Sequence, residues 1–261
     1  MSILTEGRVI ELMFFVVSGA VTWYFIYKAY KGETFEIRNM AQVQAISDGV
    51  DKAVEEGRSI FAAAGNLAYL SGLYSPMTIN GMNVVRYTAR LAIRRGARII
   101  LPVPWNPEAM PLIDGIFREA AIRENKPEAY RSEDLRYYGG SESAWMTGVA
   151  ADVLAEEAAL IIFIGATSSA EIFGAGAGLM QGAMVIAGTP RYVHQATWAC
   201  MADYPLFCDD IYGAGALCSD DNYVKASILG EDIIKVGMIA TLIVTLLLGL
   251  GGVPILEWFM L

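Results

Sequence analysis

Residues 160–189, LIIFIGATSSAEIFGAGAGLMQGAMVIAGT, concentrate the groups whose types and spacing could do chemistry. An apolar run ends in Gly165-Ala166-Thr167-Ser168, and Glu171 follows. Glycine and hydroxyl residues between a strand and a helix start can hold phosphate, because the first backbone N–H groups of a helix lack partners. Ser168-x-x-Glu171 is also a capping box, in which serine and glutamate satisfy those donors themselves. Glu171 would repel an anion, so the cap is the default and phosphate the alternative. The dinucleotide fingerprint fails: Gly174, Gly176 and Gly178 come about nine residues after the strand, inside the expected helix, and no acid closes the next strand. No GxxxxGK[ST] occurs in the sequence, which excludes a P-loop.

Nucleophilic and metal chemistry find less support. His194 is the only histidine, and Ser168, Cys200, Asp203 and His194 make a triad only on paper, with no G-x-S-x-G elbow. Cys200, Cys208 and Cys218 form no CxxC pair and are expected as reduced, mostly buried thiols. The pairs Asp209-Asp210 and Asp220-Asp221 fall where helix caps are expected. No metal site and no cofactor are expected. Without a complete catalytic set the reading leans against an enzyme, without deciding it.

The elements that must position these residues follow from hydrophobic periodicity. Residues 160–165 and 184–188 are apolar on both faces, as strands of a helix-covered parallel sheet are. Further strands are expected at 59–64, 98–103, 134–138 and 204–209. Helices are expected at 36–56, 77–95, 106–125, 141–157, 189–202 and 209–217, with Asn106-Pro107 and Thr189-Pro190 as helix starts. Strand and helix alternate throughout. The fold class is therefore α/β, a Rossmann-like three-layer domain with a mostly parallel sheet of five or six strands. Ligands of such sheets sit outside the carboxyl ends of the strands. The candidate ligand residues there are Gly65, Asn66, Gly139, Ser141, Gly165, Thr167 and Ser168. Ala170, Gly174, Gly178 and Gly182 recur every four residues. A row of glycines costs a helix about 1 kcal/mol each, so this face is expected to meet a close neighbour, in the domain or in a second subunit.

The chain's 55 % hydrophobic residues are concentrated at its ends. Residues 9–30 and 236–256 each approach the length that spans a bilayer, leaving 33–235 as the domain between. Lys28, Lys31 and Arg38 follow the first span, and Lys225 and Lys235 precede the second. The positive-inside rule then sets the domain in the cytoplasm and both termini outside. The net charge of −9 argues against nucleic acid as a partner. The expected partners are the lipid bilayer, further copies of the chain and, more weakly, a cytoplasmic protein.

The run RSEDLRYYG, then LIIFIGATSSAE, AMVIAGTP and DYPLFCDDIYGAGA, resembles an uncharacterised family of bacterial and archaeal membrane proteins over residues 43–236. That resemblance implies a membrane-attached domain and carries no catalytic residue over. Two functions are expected from these observations. One is a membrane-anchored scaffold that self-associates into a homo-oligomer or lattice. The other is a ligand-binding or enzymatic domain for a nucleotide, phosphate or lipid headgroup at the strand carboxyl ends.

Overall fold

The computed structural model describes residues 9–251 and divides the chain into two compact units, Ile37–Asp220 and Met1–Glu36 with Asp221–Leu261. Residues 252–256 of the second expected span lie outside the described residues.

The larger unit is built on six parallel strands: β1 (Ser59–Ala63), β2 (Ile99–Val103), β3 (Leu135–Tyr137), β4 (Ala158–Ile164), β5 (Met184–Thr189) and β6 (Tyr204–Phe207). Their order is β3-β2-β1-β4-β5-β6. Every residue of β1, β2 and β4 is buried, so these strands read as unbroken apolar runs. One face of the sheet is covered by α2 (Ala41–Glu56), α3 (Ser75–Arg95), α4 (Met110–Arg123) and α8 (Asp210–Leu217), whose Ile46, Val50, Val85, Phe117 and Ile211 share a core with Ile60 and Leu101. The other is covered by α5 (Glu142–Ala155), α6 (Glu171–Met180) and α7 (Tyr192–Met201), through Trp145, Val149, Ala175 and Trp198 against Phe61 and Phe163. The edge strand β6 resists further pairing: Pro205 has no N–H to offer, and its carbonyl accepts from Gln42 Nε2 at 3.2 Å.

The glycine row resolves into packing and a helix stop. A Cβ on Gly174 would lie 2.9 Å from Val149 Cγ1, and one on Gly178 2.1 Å from Ile161 Cδ1, so both face the domain's own side chains. Ala170 is buried and precedes the helix. Gly182 corrects the expectation. It lies beyond α6 at φ 74° with open space around it. Its N–H donates to Leu179 O at 3.1 Å, and Ala183 N–H donates to Gly178 O at 2.9 Å, the pairing that ends a helix in a left-handed residue. Backbone approaches closely elsewhere: a Cβ on Gly81 of α3 would meet Ile164 O at 2.3 Å.

The smaller unit pairs α1 (Val9–Tyr30) with α9 (Asn222–Leu250). Helix α9 is continuous through residue 235 and starts on Asp221, whose side chain accepts from Tyr223 N–H at 2.8 Å. Both helices are long and apolar enough to cross a membrane. Phe15, Trp23, Leu242 and Leu246 point outward. Hydroxyls return to their own helix, Ser18 to Phe14 O at 2.6 Å and Thr241 to Gly237 O at 2.8 Å. The two helices meet closely where a Cβ on Gly230 would lie 3.2 Å from Thr22 Cα.

Candidate functional site

The strand order reverses between β1 and β4, whose chains continue to β2 and β5 on opposite sides. At such a switch point the loops after the two strands part and leave a crevice. Here the floor of that crevice is sealed. Ala166 N–H donates to Ala64 O at 3.0 Å, and Leu67 N–H to Ala166 O at 3.1 Å. Gly65 has φ 99°, and a Cβ there would sit 2.2 Å from Ala166 O. Gly165 is packed as tightly, its absent Cβ 2.6 Å from Ala64 O. Both glycines therefore join loops and do not line an opening.

Glu171 fills the sealed floor. Its side chain is fully buried, and its carboxylate accepts from Asn66 N–H at 2.6 Å and Ser168 N–H at 2.9 Å. The second bond is one half of the capping box. Ser168 Oγ accepts from Ala170 N–H at 3.1 Å, one residue short of the bond that would complete the box. Burial pushes the Glu171 carboxyl up to about 7, against the pull of the N–H donors.

Above this floor lies a ring of polar and aromatic groups. Ser168 Oγ donates to Glu142 Oε1 at 2.6 Å, and Asn66 Nδ2 donates to the same oxygen at 3.3 Å. Glu142 opens α5, where Ser141 caps the helix by accepting from Ala144 N–H at 3.2 Å. Asn66 is wholly buried, yet its Oδ1 has no partner. A carboxylate only accepts, so the bond to Glu142 fixes which end of the amide is which. Across the crevice, Arg191 Nη1 donates to Thr167 O at 3.2 Å, and the guanidinium lies 5.4 Å from the Tyr74 ring centre. Thr167 is buried, its Oγ1 accepting from Trp198 Nε1 at 3.0 Å. Tyr69 packs between Tyr74 and Trp105, with ring centres 5.8 and 6.0 Å away. Trp105 Nε1 is a second buried polar atom without a partner.

His194 lies within the field of both charges. Burial and Arg191 hold its imidazole below the ordinary histidine value, while Glu142 opposes them.

Of the residues expected to bind a ligand, the structure leaves Asn66 and Ser168 in contact with Glu142. Gly65, Gly165 and Thr167 build the floor, Ser141 caps α5, and Gly139 takes the left-handed turn before it at φ 111°. Glu142, Arg191, Tyr69, Tyr74 and Trp105 were not singled out from the sequence. Each follows or flanks a carboxyl-end turn, and that position was the available signal. The paper triad does not assemble: Asp203 accepts from Val185 N–H at 2.8 Å near the start of β5, at the opposite edge from Ser168. The cysteines are free; Cys218 is buried, but Cys200 and Cys208 are exposed, against the expectation of mostly buried thiols. Among the described residues no three histidine, cysteine or acidic side chains gather as a metal site would need.

A family model described as a domain of unknown function (DUF6754) matches residues 1–257, so the chain belongs to that family. No curated protein and no solved structure matches the chain.

Proposed function

Within that family, we propose that this chain is a membrane-anchored α/β domain that binds a small polar ligand above the carboxyl ends of β1 and β4. The observation that carries the reading is Asn66 Oδ1, a buried acceptor without a partner at the switch point of the sheet. Leaving such an atom unpaired costs roughly 1–3 kcal/mol, and a ligand's donor would recover it. The aromatic wall of Tyr69, Tyr74 and Trp105 suits the apolar part of the same ligand. Extraction of small molecules from full-length protein purified from its native membrane tests this. A polar compound should be enriched in wild type and depleted in Asn66→Leu. Identical extracts would refute the reading.

Membrane attachment through α1 and α9 is part of the proposal, as are a bacterial or archaeal source and a cytoplasmic domain with both termini outside. The length and apolar surface of the two helices support attachment, and the lysines and arginine flanking the spans support the orientation.

Self-association into an assembly is the second reading. The glycine row no longer favours it, since Gly174 and Gly178 are covered within the domain. What favours it is the outer side of α6 and α7, where Phe173, Met180, Tyr192 and Val193 are all more than half exposed. The mass of the detergent-solubilised protein decides it: a monomer would exclude a second copy on that surface.

A further inference from the structure

The crevice carries two opposite charges on one loop. Arg191 and Glu142 are each anchored on the loop after β4, on the neighbouring residues Thr167 and Ser168, at 3.2 and 2.6 Å. They do not pair with each other, and neither has an ion-pair partner among the described residues. Elsewhere in the domain Arg90, Arg94, Arg95, Arg98, Arg118, Arg123 and Arg136 pair with carboxylates, whereas among the described residues Arg38 and Arg131, like Arg191, do not. Glu142 is exposed and Arg191 half-buried, and the loop fixes both in place without joining them. Asn66 Oδ1 adds a buried acceptor beside Glu142 and none beside Arg191.

We infer that the ligand is a small zwitterion, its ammonium group on Glu142 and Asn66 Oδ1 and its phosphate or carboxylate on Arg191. The inference rests on the binding reading above and names its chemical class. Arg191 supplies a planar set of N–H donors matched to an oxyanion, and its guanidinium lies 5.4 Å from the Tyr74 ring centre. Glu142 accepts from the ammonium group through the oxygen left open by Ser168 and Asn66. The same chemistry is found in a free amino acid, in O-phosphoethanolamine and in the headgroup of phosphatidylethanolamine.

The test uses the full chain in nanodiscs of phosphatidylglycerol, read by tryptophan fluorescence, with Trp105 in the wall as reporter. The probes are O-phosphoethanolamine and serine as zwitterions, with inorganic phosphate, acetate and ethanolamine as their single-charge fragments. At least one zwitterion should bind about tenfold or more tighter than each of its fragments, the ratio expected for one added charge-assisted contact. Glu142→Gln should remove that preference and leave phosphate or acetate binding intact. Arg191→Gln should abolish binding of the anionic fragments, and Arg191→Lys should restore part of it. Repeating the titration in phosphatidylethanolamine nanodiscs separates the sources: a lipid headgroup ligand would block the soluble probe, and a free ligand would not be blocked. Fragments that bind as tightly as the zwitterions, an unchanged preference in Glu142→Gln, or no response to any probe would overturn the inference. If the native extract still shows a compound lost in Asn66→Leu, the binding reading stands and only the zwitterion falls.

Discussion

The Glu171 carboxylate accepts the backbone N–H of Asn66 at 2.6 Å, from α6 to the loop after β1. One side chain thus ties together the two loops that part at the switch point. The buried acid is a fastener of the site's floor, and the chemistry of recognition lies one layer above it.

That fastener makes stability depend on pH in a defined direction. The Glu171 carboxyl is raised in the folded protein to about 7 from 4.5. Its contribution is fully present below the unfolded value and is lost as pH rises toward 7, by about 3 kcal/mol at about 1.4 kcal/mol per pH step. Glu124 and Glu156 act oppositely. Arg94 and Arg136 lower their carboxyl values, so their contributions are present above 4.5 and fade as pH falls. Thermal unfolding of the full chain in detergent should therefore show highest stability near the unfolded glutamate value. Glu171→Gln should flatten the decline toward neutral pH, and an unaltered slope would count against the assignment.

Gly65 joins the loops by backbone contact, with a positive φ that side chains avoid. Gly65→Ala should cost roughly 3 kcal/mol or more, because Ala166 O has no flexible end to give way. Gly178→Ala meets the Ile161 side-chain tip, which can turn away, and Ala183 Cβ at 3.1 Å, and should cost about 1–3 kcal/mol. Gly182→Ala finds open space and should cost about 1 kcal/mol for its left-handed backbone alone. Denaturant titration of the three variants checks the order 65, 178, 182.

Much of the fold was legible because buried parallel strands and amphipathic helices leave simple patterns. Residues 160–165 and 184–188 are apolar throughout, and both are strands hidden on two sides. The end of α6 was not legible: Gly182 continues the spacing of Gly174 and Gly178, and only its left-handed backbone marks the stop. The floor of the site was partly legible, through Ser168 and Glu171. Glu142 and Arg191 were not, because their convergence depends on β4 standing beside both β1 and β5. Strand order leaves no trace in local spacing.

Thr167 supplies the one acceptor of the buried Trp198 indole N–H, at 3.0 Å. Thr167→Val should strand that donor and cost about 1–3 kcal/mol, while Thr167→Ser should retain most of the stability. Equal melting of both variants would show that the hydroxyl is not the group that matters.

The native cysteines report on orientation. Cys200 and Cys208 are exposed on the domain, whereas Cys218 is buried with its thiol pushed up to about 12. A membrane-impermeant maleimide should leave all three unlabelled in intact cells and should modify Cys200 and Cys208 once the membrane is opened. Labelling in intact cells would invert the proposed topology.

The binding claim meets its most direct test in an experimental density map of the full chain purified from its native membrane, at a resolution that separates ligand from water. The account predicts a compact ligand within hydrogen-bond distance of Asn66 Oδ1, extending between Glu142 and Arg191. Asn66 Oδ1 bonded within the protein itself, with Glu142 and Arg191 closed onto each other, would contradict it.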